Sequence, residues 1–63
     1  MAFIKKNNSH QIGDFVVTTK QHESMEGIFL KGSTVIITDI DPIRGYSIED
    51  EDGNRMVEIG WEI

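Results

Sequence analysis

A chain of 63 residues without cysteine is long enough for one small domain, and it has no disulfide or thiolate metal ligand to stabilise a thin core. Its net charge of −5 is uneven: four lysines against three carboxylates give +1 in residues 1–31, whereas two arginines against eight carboxylates give −6 in residues 32–63. This acidic half disfavours binding to duplex nucleic acid, which requires a basic surface, and favours either a basic protein partner or simply solubility.

The amino-terminal sequence predicts neither secretion nor membrane insertion. The two lysines of MAFIKKNNSH are not followed by the apolar run that a secretory signal needs. No segment approaches the ~20 apolar residues of a transmembrane helix. We therefore expect a cytoplasmic protein with no membrane partner, and the lack of cysteine is consistent with a reducing compartment.

The first half of the chain predicts an arm, a strand and a loop. Residues 1–12 are expected to be a weakly ordered arm, because most of their side chains are polar, and the domain itself is expected at residues 13–63. The first strand is predicted at residues 14–19, which are rich in β-branched side chains. The polar residues 20–26 could form a loop or one helical turn, and a long loop is the simpler interpretation.

The centre of the chain predicts the most regular strand. TVIITDI, at residues 34–40, is too short and too rich in β-branched side chains for a helix. Asp41-Pro42 begins a turn that Gly45 completes, since proline presets φ and glycine can adopt a positive φ. A further strand, YSIED, is expected at residues 46–50.

The end of the chain predicts a hairpin and a short last strand. The segment EDGN connects YSIED to RMVEI at residues 55–59, and Asp52-Gly53 or Gly53-Asn54 supplies a two-residue hairpin signal. Gly60 indicates a bulge or a single helical turn. Residues 61–63 are then expected to return to the sheet.

These elements predict an all-β fold. Five short strands with tight turns favour a small five-stranded antiparallel barrel, because closure removes exposed sheet edges. Alternate apolar side chains of the strands are expected to fill its core, with Trp61 or Ile63 covering one end. The predicted core residues are Phe15, Val17, Phe29, Val35, Ile37, Ile48, Val57 and Ile59.

The order of these elements resembles that of SH3-like barrels. The resemblance covers residues 13–63, through the segments GDFVVTT, GIFLKGSTVIIT and GYSIEDEDGNRMVEIGWEI. The chain lacks the ALYDY-like cluster, the tryptophan and the late proline-tyrosine pair of SH3 domains that bind proline-rich peptides. The resemblance therefore implies a prokaryotic SH3-like module, a group whose partners vary widely.

No motif predicts catalysis, a cofactor or a metal site. The segment from His22 to Glu26 repeats only half of a zinc-protease helix, because a glutamate stands where the second histidine is needed. A calcium loop beginning at Asp39 fails, since Ile43 occupies a ligand position and Gly45 falls one place late. A domain of this size has little room for the cleft that paired catalytic carboxylates require. We expect a protein that is not an enzyme.

The best candidate site is an acidic hairpin with aromatic and basic neighbours. Consecutive carboxylates attract a basic partner, and Tyr, Trp and Arg are enriched among interface hot spots. Alternatively, both aromatic rings belong to the core with their polar tips at its rim, and the acids bind a cation weakly or only solubilise the turn. The candidate partner-binding residues are Arg44, Tyr46, Glu49, Asp50, Glu51, Asp52 and Trp61.

The sequence thus predicts a non-enzymatic protein-binding module, and two other functions stay open. One is a small barrel associated with nucleic acid, in which Lys5, Lys6, Lys20 and Lys31 form a basic strip beside Phe3. The other is an acidic inhibitor that occupies the basic groove of a nucleic-acid enzyme. A homodimer is compatible with the thin core and with an exposed sheet edge.

Overall fold

Residues 10–63, the part of the chain that the computed structural model describes, contain six short strands joined by turns and loops, and no helix. The strands form two antiparallel sheets, one of four strands in the order β1-β4-β5-β6 and one that pairs β2 with β3. Their bounds are β1 Phe15–Val17, β2 His22–Ser24, β3 Gly27–Phe29, β4 Thr34–Asp41, β5 Gly45–Glu49 and β6 Arg55–Met56. Within these residues nothing has the length and apolar character of a membrane-spanning helix.

The prediction of an all-β fold is confirmed, but the closed five-stranded barrel is wrong. There are six strands, and the two sheets stay separate instead of closing into a barrel. The additional strand, β2, lies in the polar segment that was predicted as a loop, and it pairs with β3 from His22↔Phe29 to Ser24↔Gly27. Glu26 N–H donates to Ser24 Oγ in the connecting turn. Backbone pairing and this turn bond therefore form β2, whose own sequence has no apolar pattern.

The strands predicted at residues 14–19, 34–40 and 46–50 are present as β1, β4 and β5. The strand predicted at residues 55–59 is only two residues long. It ends after Met56 because Glu58 adopts a positive φ of 54°, and the Glu58 N–H donates to the Ser47 hydroxyl instead of to the backbone of β5. The predicted arm at residues 1–12 falls mainly outside the described residues.

One cluster of buried side chains joins the two sheets. Phe29, from β3, packs with residues of β4, β5 and β6 and with Ile63. The predictions for Phe29, Val35, Ile37 and Ile48 are confirmed. Ile63, expected as a possible cover of the barrel end, is itself part of the buried cluster, and Ile59 and Trp61 are partly buried against it. Tyr46 and Met56 complete the core.

Three predicted core residues are on the surface. Phe15, Val17 and Val57 have 76%, 57% and 50% of their area exposed. In β1 the reason is the register: Val16 lies opposite the buried Val35, so Phe15 and Val17 point to the other face.

Thr18 and His22 supply buried polar contacts that hold the loops to the sheets. Thr18 Oγ1 donates to the Leu30 carbonyl at 2.8 Å and accepts from Ser33 N–H at 2.9 Å. His22 Nε2 lies 2.9 Å from the Ile63 carbonyl oxygen, which also accepts from Thr19 N–H. Among the described residues no buried side-chain polar atom lacks a hydrogen-bond partner, as expected for a well-formed interior.

Candidate functional site

The acidic hairpin between β5 and β6 has a three-residue loop. Asp50 N–H donates to the Asn54 carbonyl at 2.8 Å, and Gly53 N–H donates to the Asp50 carbonyl at 3.2 Å. Gly53 has a φ of 85°, which glycine adopts without steric strain. The predicted two-residue loop is therefore wrong, and Glu51 and Asp52 lie at the tip of the hairpin.

Asp50 belongs to the internal structure of this hairpin. One of its carboxylate oxygens accepts from the backbone N–H groups of Asp52 and Asn54, and the other accepts from the Asn54 side-chain amide. The Asn54 side-chain amide, helped by these backbone N–H groups, lowers the pKa of the Asp50 carboxyl from its ordinary value because the bonds favour the charged form. Its oxygens are thus already engaged, which leaves them little capacity for a partner.

The other three acids of the hairpin differ in their surroundings. Glu49 is half-buried, and its carboxylate lies 3.6 Å from the guanidinium of Arg55, the residue opposite it on β6. Glu51 and Asp52 are exposed, and their carboxylates form no ion pair or hydrogen bond with another residue in the range 10–63. These two carboxylates are therefore open to a basic ligand.

The two aromatic candidates lie together, away from this tip. Tyr46 is fully buried, and the half-buried Trp61 meets it edge-on with ring centroids 5.2 Å apart. The His10 ring contacts Tyr46 at 5.5 Å, and His10 N–H donates to the tyrosine hydroxyl at 3.3 Å. The structure thus places Tyr46 in the core, as in the alternative interpretation, and its ring cannot act as an exposed anchor.

Arg44 is also remote from the acidic tip. It lies in the turn before β5, whereas the acidic hairpin follows β5, so the two are at opposite ends of that strand. Its guanidinium is 3.5 Å from the Glu58 carboxylate. The same turn is held by Asp41, which accepts from the N–H groups of Ile43 and Arg44 at 2.8 Å each. The predicted site residues therefore do not form one continuous surface.

The structure instead places an apolar strip beside the acidic hairpin. Phe15, Ile36 and Glu49 are directly opposite one another on β1, β4 and β5. A shallow groove of about 140 Å³ runs between them and is bordered by Asp50 and Glu51. Sequence reasoning missed this strip because it placed Phe15 in the core, and only the pairing register reveals the correct face.

The described residues contain no group of three or more His, Asp or Glu side chains that could hold a metal ion. The carboxylates of Glu51 and Asp52 and the apolar strip are two features by which this part of the chain could bind a ligand. No protein-family model, curated protein or solved structure matches the chain.

Proposed function

We propose that this protein is a non-enzymatic, cytoplasmic protein-binding module whose partner presents a basic surface. The observation that carries the proposal is the pair of exposed carboxylates, Glu51 and Asp52, at the tip of a hairpin in a chain of net charge −5. A concentrated negative potential attracts a basic surface and accelerates its encounter with the site. The hairpin is held by the Asp50 bonds, so the tip is preorganised before a partner arrives.

An SH3-like relationship is part of this proposal, in the form of a module whose sheets remain open. It is supported by the order of the elements: a first strand, a long excursion, the long strand β4, a turn and the β5–β6 hairpin. The last residues then return towards the first strand, where Thr19 N–H donates to the Ile63 carbonyl at 2.9 Å. An acidic inhibitor that fills a basic groove would be one form of such a module.

The nucleic-acid alternative has weaker support. Lys5 and Lys6, half of its basic strip, lie outside the described residues. Lys20 is 3.5 Å from the Glu62 carboxylate, so part of its charge is already compensated. No observation on residues 10–63 favours this alternative over a basic protein partner.

The steering role can be tested by removing the two tip charges. The Glu51→Gln/Asp52→Asn variant and a control, Glu23→Gln/Asp39→Asn, have the same net charge, and all four side chains are exposed. The probe is the peptide KSKSKSK, with its affinity measured by titration calorimetry at low and at high salt. We expect the tip variant to bind several-fold more weakly than the control, with a smaller dependence on salt. Equal weakening in both variants would show that only net charge matters.

Affinity capture from native lysate, with and without nuclease, extends this test to natural partners. A protein that is retained by the wild type and by the control variant, but lost from the tip variant, is the expected result. Material that disappears after nuclease treatment would instead support the nucleic-acid alternative and contradict the proposal.

A further inference from the structure

The outer face of the four-stranded sheet, formed by Phe15, Val17, Ile36 and Glu49, carries apolar side chains that the core does not use. Residues that are directly opposite in an antiparallel pair project from the same face of the sheet. Phe15, Ile36 and Glu49 form such a row, and Val17 follows Phe15 two residues along β1. The buried residues Val35, Ile37 and Ile48 occupy the alternate positions, so the row faces away from the core.

The side chains of the outer face are most exposed on β1, at the edge of the sheet. The Phe15 side chain is 76% exposed and Val17 is 57% exposed, whereas Ile36 is half-buried between them and β5. Aromatic rings contribute a large contact area for little loss of side-chain entropy and are enriched at interfaces. Phe15 has the geometry of such an anchor, because it stands beside a groove rather than alone on a loop.

The opposite side of the groove is acidic. Glu49, Asp50 and Glu51 line it, and the Glu51 carboxylate has no partner among the described residues. Two strand spacings separate β1 from β5, so about 10 Å separates the row positions of Phe15 and Glu49. A segment lying across the strands can therefore place an apolar side chain on Phe15 and a lysine or arginine near Glu51.

We propose that the outer face binds a partner segment that combines apolar side chains with lysine or arginine. The inference rests on the proposed function, because it uses the same acidic hairpin for attraction and adds the surface on which the segment is held. The occupant follows from charge complementarity: a basic segment can pair with the Glu51 carboxylate, the acid of the groove that has no partner among the described residues, whereas a second copy of the chain would bring another net charge of −5 against it.

The test compares two peptides that carry the same lysines, KVKFKVK and KSKSKSK. The wild type is expected to bind KVKFKVK about tenfold more tightly, since burial of the apolar side chains adds to the shared attraction. NMR shifts should concentrate on the amides of β1, on Thr34 to Ile36 and on the hairpin from Glu49. Shifts confined to the hairpin would overturn the inference.

Variants then locate the apolar contribution. Phe15→Ser, and separately Val17→Ser, should reduce or abolish the preference for KVKFKVK while affinity for KSKSKSK is unchanged. Ile43→Ser is the matched control, because Ile43 is 84% exposed in the turn at the other end of β5, and this variant should keep the preference. A retained preference in both Phe15→Ser and Val17→Ser would overturn the inference.

The outcomes separate the two proposals. If neither peptide binds to the wild type, the proposed function fails and the inference fails with it. If both peptides bind with equal affinity, the proposal of a basic partner is unaffected and only the apolar face is wrong. A self-association in sedimentation experiments that Phe15→Ser abolishes, without any peptide preference, would assign the face to a second copy and overturn the inference.

Discussion

Of the six glycines, Gly45 is the one whose backbone has no room for a side chain. Its φ is 92°, and a Cβ at this position would collide with the carbonyl group and Cα of Gly60. Gly53 has a similar φ of 85°, but a Cβ there would meet no atom within 4 Å. The two glycines therefore share the conformational requirement and differ in the steric one.

We predict that Gly45→Ala is far more destabilising than Gly53→Ala. The second substitution should cost about 1–2 kcal/mol, the price of a left-handed conformation in a residue with a side chain. The first should exceed this by at least ~2 kcal/mol, because either Gly60 or β5 must move. Urea unfolding of both variants, followed by Trp61 fluorescence, measures the difference. Equal losses would contradict the steric role of the Gly45–Gly60 contact.

The property that individual residues predict least well is which alternate side chains of a strand face the core. The segment FVVTT presents β-branched or aromatic side chains on both faces, so its pattern does not distinguish Phe15 and Val17 from Val16 and Thr18. The structure selects the second pair: Thr18 is buried because its hydroxyl satisfies Leu30 and Ser33. A shift of one residue reverses every side chain of a strand, and Met56 and Val57 repeat the same ambiguity.

At the scale of elements, two turns depend on aspartate carboxylates. The N–H groups of Arg44 and Ile43, in that order, lower the pKa of Asp41, and the Asn54 side-chain amide is the main group that lowers the pKa of Asp50. Both pKa values are thus lower in the folded than in the unfolded chain. At a pH between the folded and the unfolded pKa of either carboxyl, the unfolded chain binds more protons than the folded chain. The contribution of these carboxylates to stability is therefore full above about pH 4 and is lost as the pH falls further.

We predict that Asp50→Asn removes part of this acid sensitivity. The variant should be less stable than the wild type at pH 7, because the charged acceptor of the turn is lost, and should lose less stability between about pH 4 and pH 2. Asp52→Asn is the control, since the Asp52 side chain accepts no hydrogen bond from residues 10–63. Urea midpoints across this range provide the measurement. Profiles of the same shape for the two variants would contradict the role given to Asp50.

Elements that follow an apolar pattern could be predicted, and elements that depend on backbone pairing could not. The length and β-branched content of β4 identify it directly. β2, with the sequence HES, has no strand pattern and exists because β3 offers it a backbone ladder. The end of β6 is equally hard to predict, because it depends on the positive φ of Glu58 and on the Ser47 hydroxyl, which accepts from the Glu58 N–H.

At the scale of the whole molecule, a shared core replaces barrel closure. The two sheets are not hydrogen-bonded into one, yet Phe29 from the smaller sheet belongs to the same buried cluster as Ile37, Ile48 and Met56. Barrel closure would remove the sheet edges, but a second sheet can cover the core without closure, and in this protein β2 and β3 do so. The candidate site could also be predicted only in part. The residues of the acidic tip are consecutive in sequence and could be predicted, whereas the outer face combines β1, β4 and β5 and depends on how these strands pair.

Because one cluster serves both sheets, we predict that they unfold together. Phe29→Leu should destabilise the protein by about 1 kcal/mol through imperfect refilling of the core, and Phe15→Leu, on the exposed face, should change stability by less than about 0.5 kcal/mol. Trp61 fluorescence reports on the larger sheet and its return segment, and amide exchange of Glu23 and Ile28 reports on the smaller sheet. In Phe29→Leu the two probes should shift by the same free energy. Faster exchange at Glu23 and Ile28 with an unchanged Trp61 transition would mean that the β2–β3 hairpin opens on its own, and the shared cluster would then not determine the cooperativity of the fold.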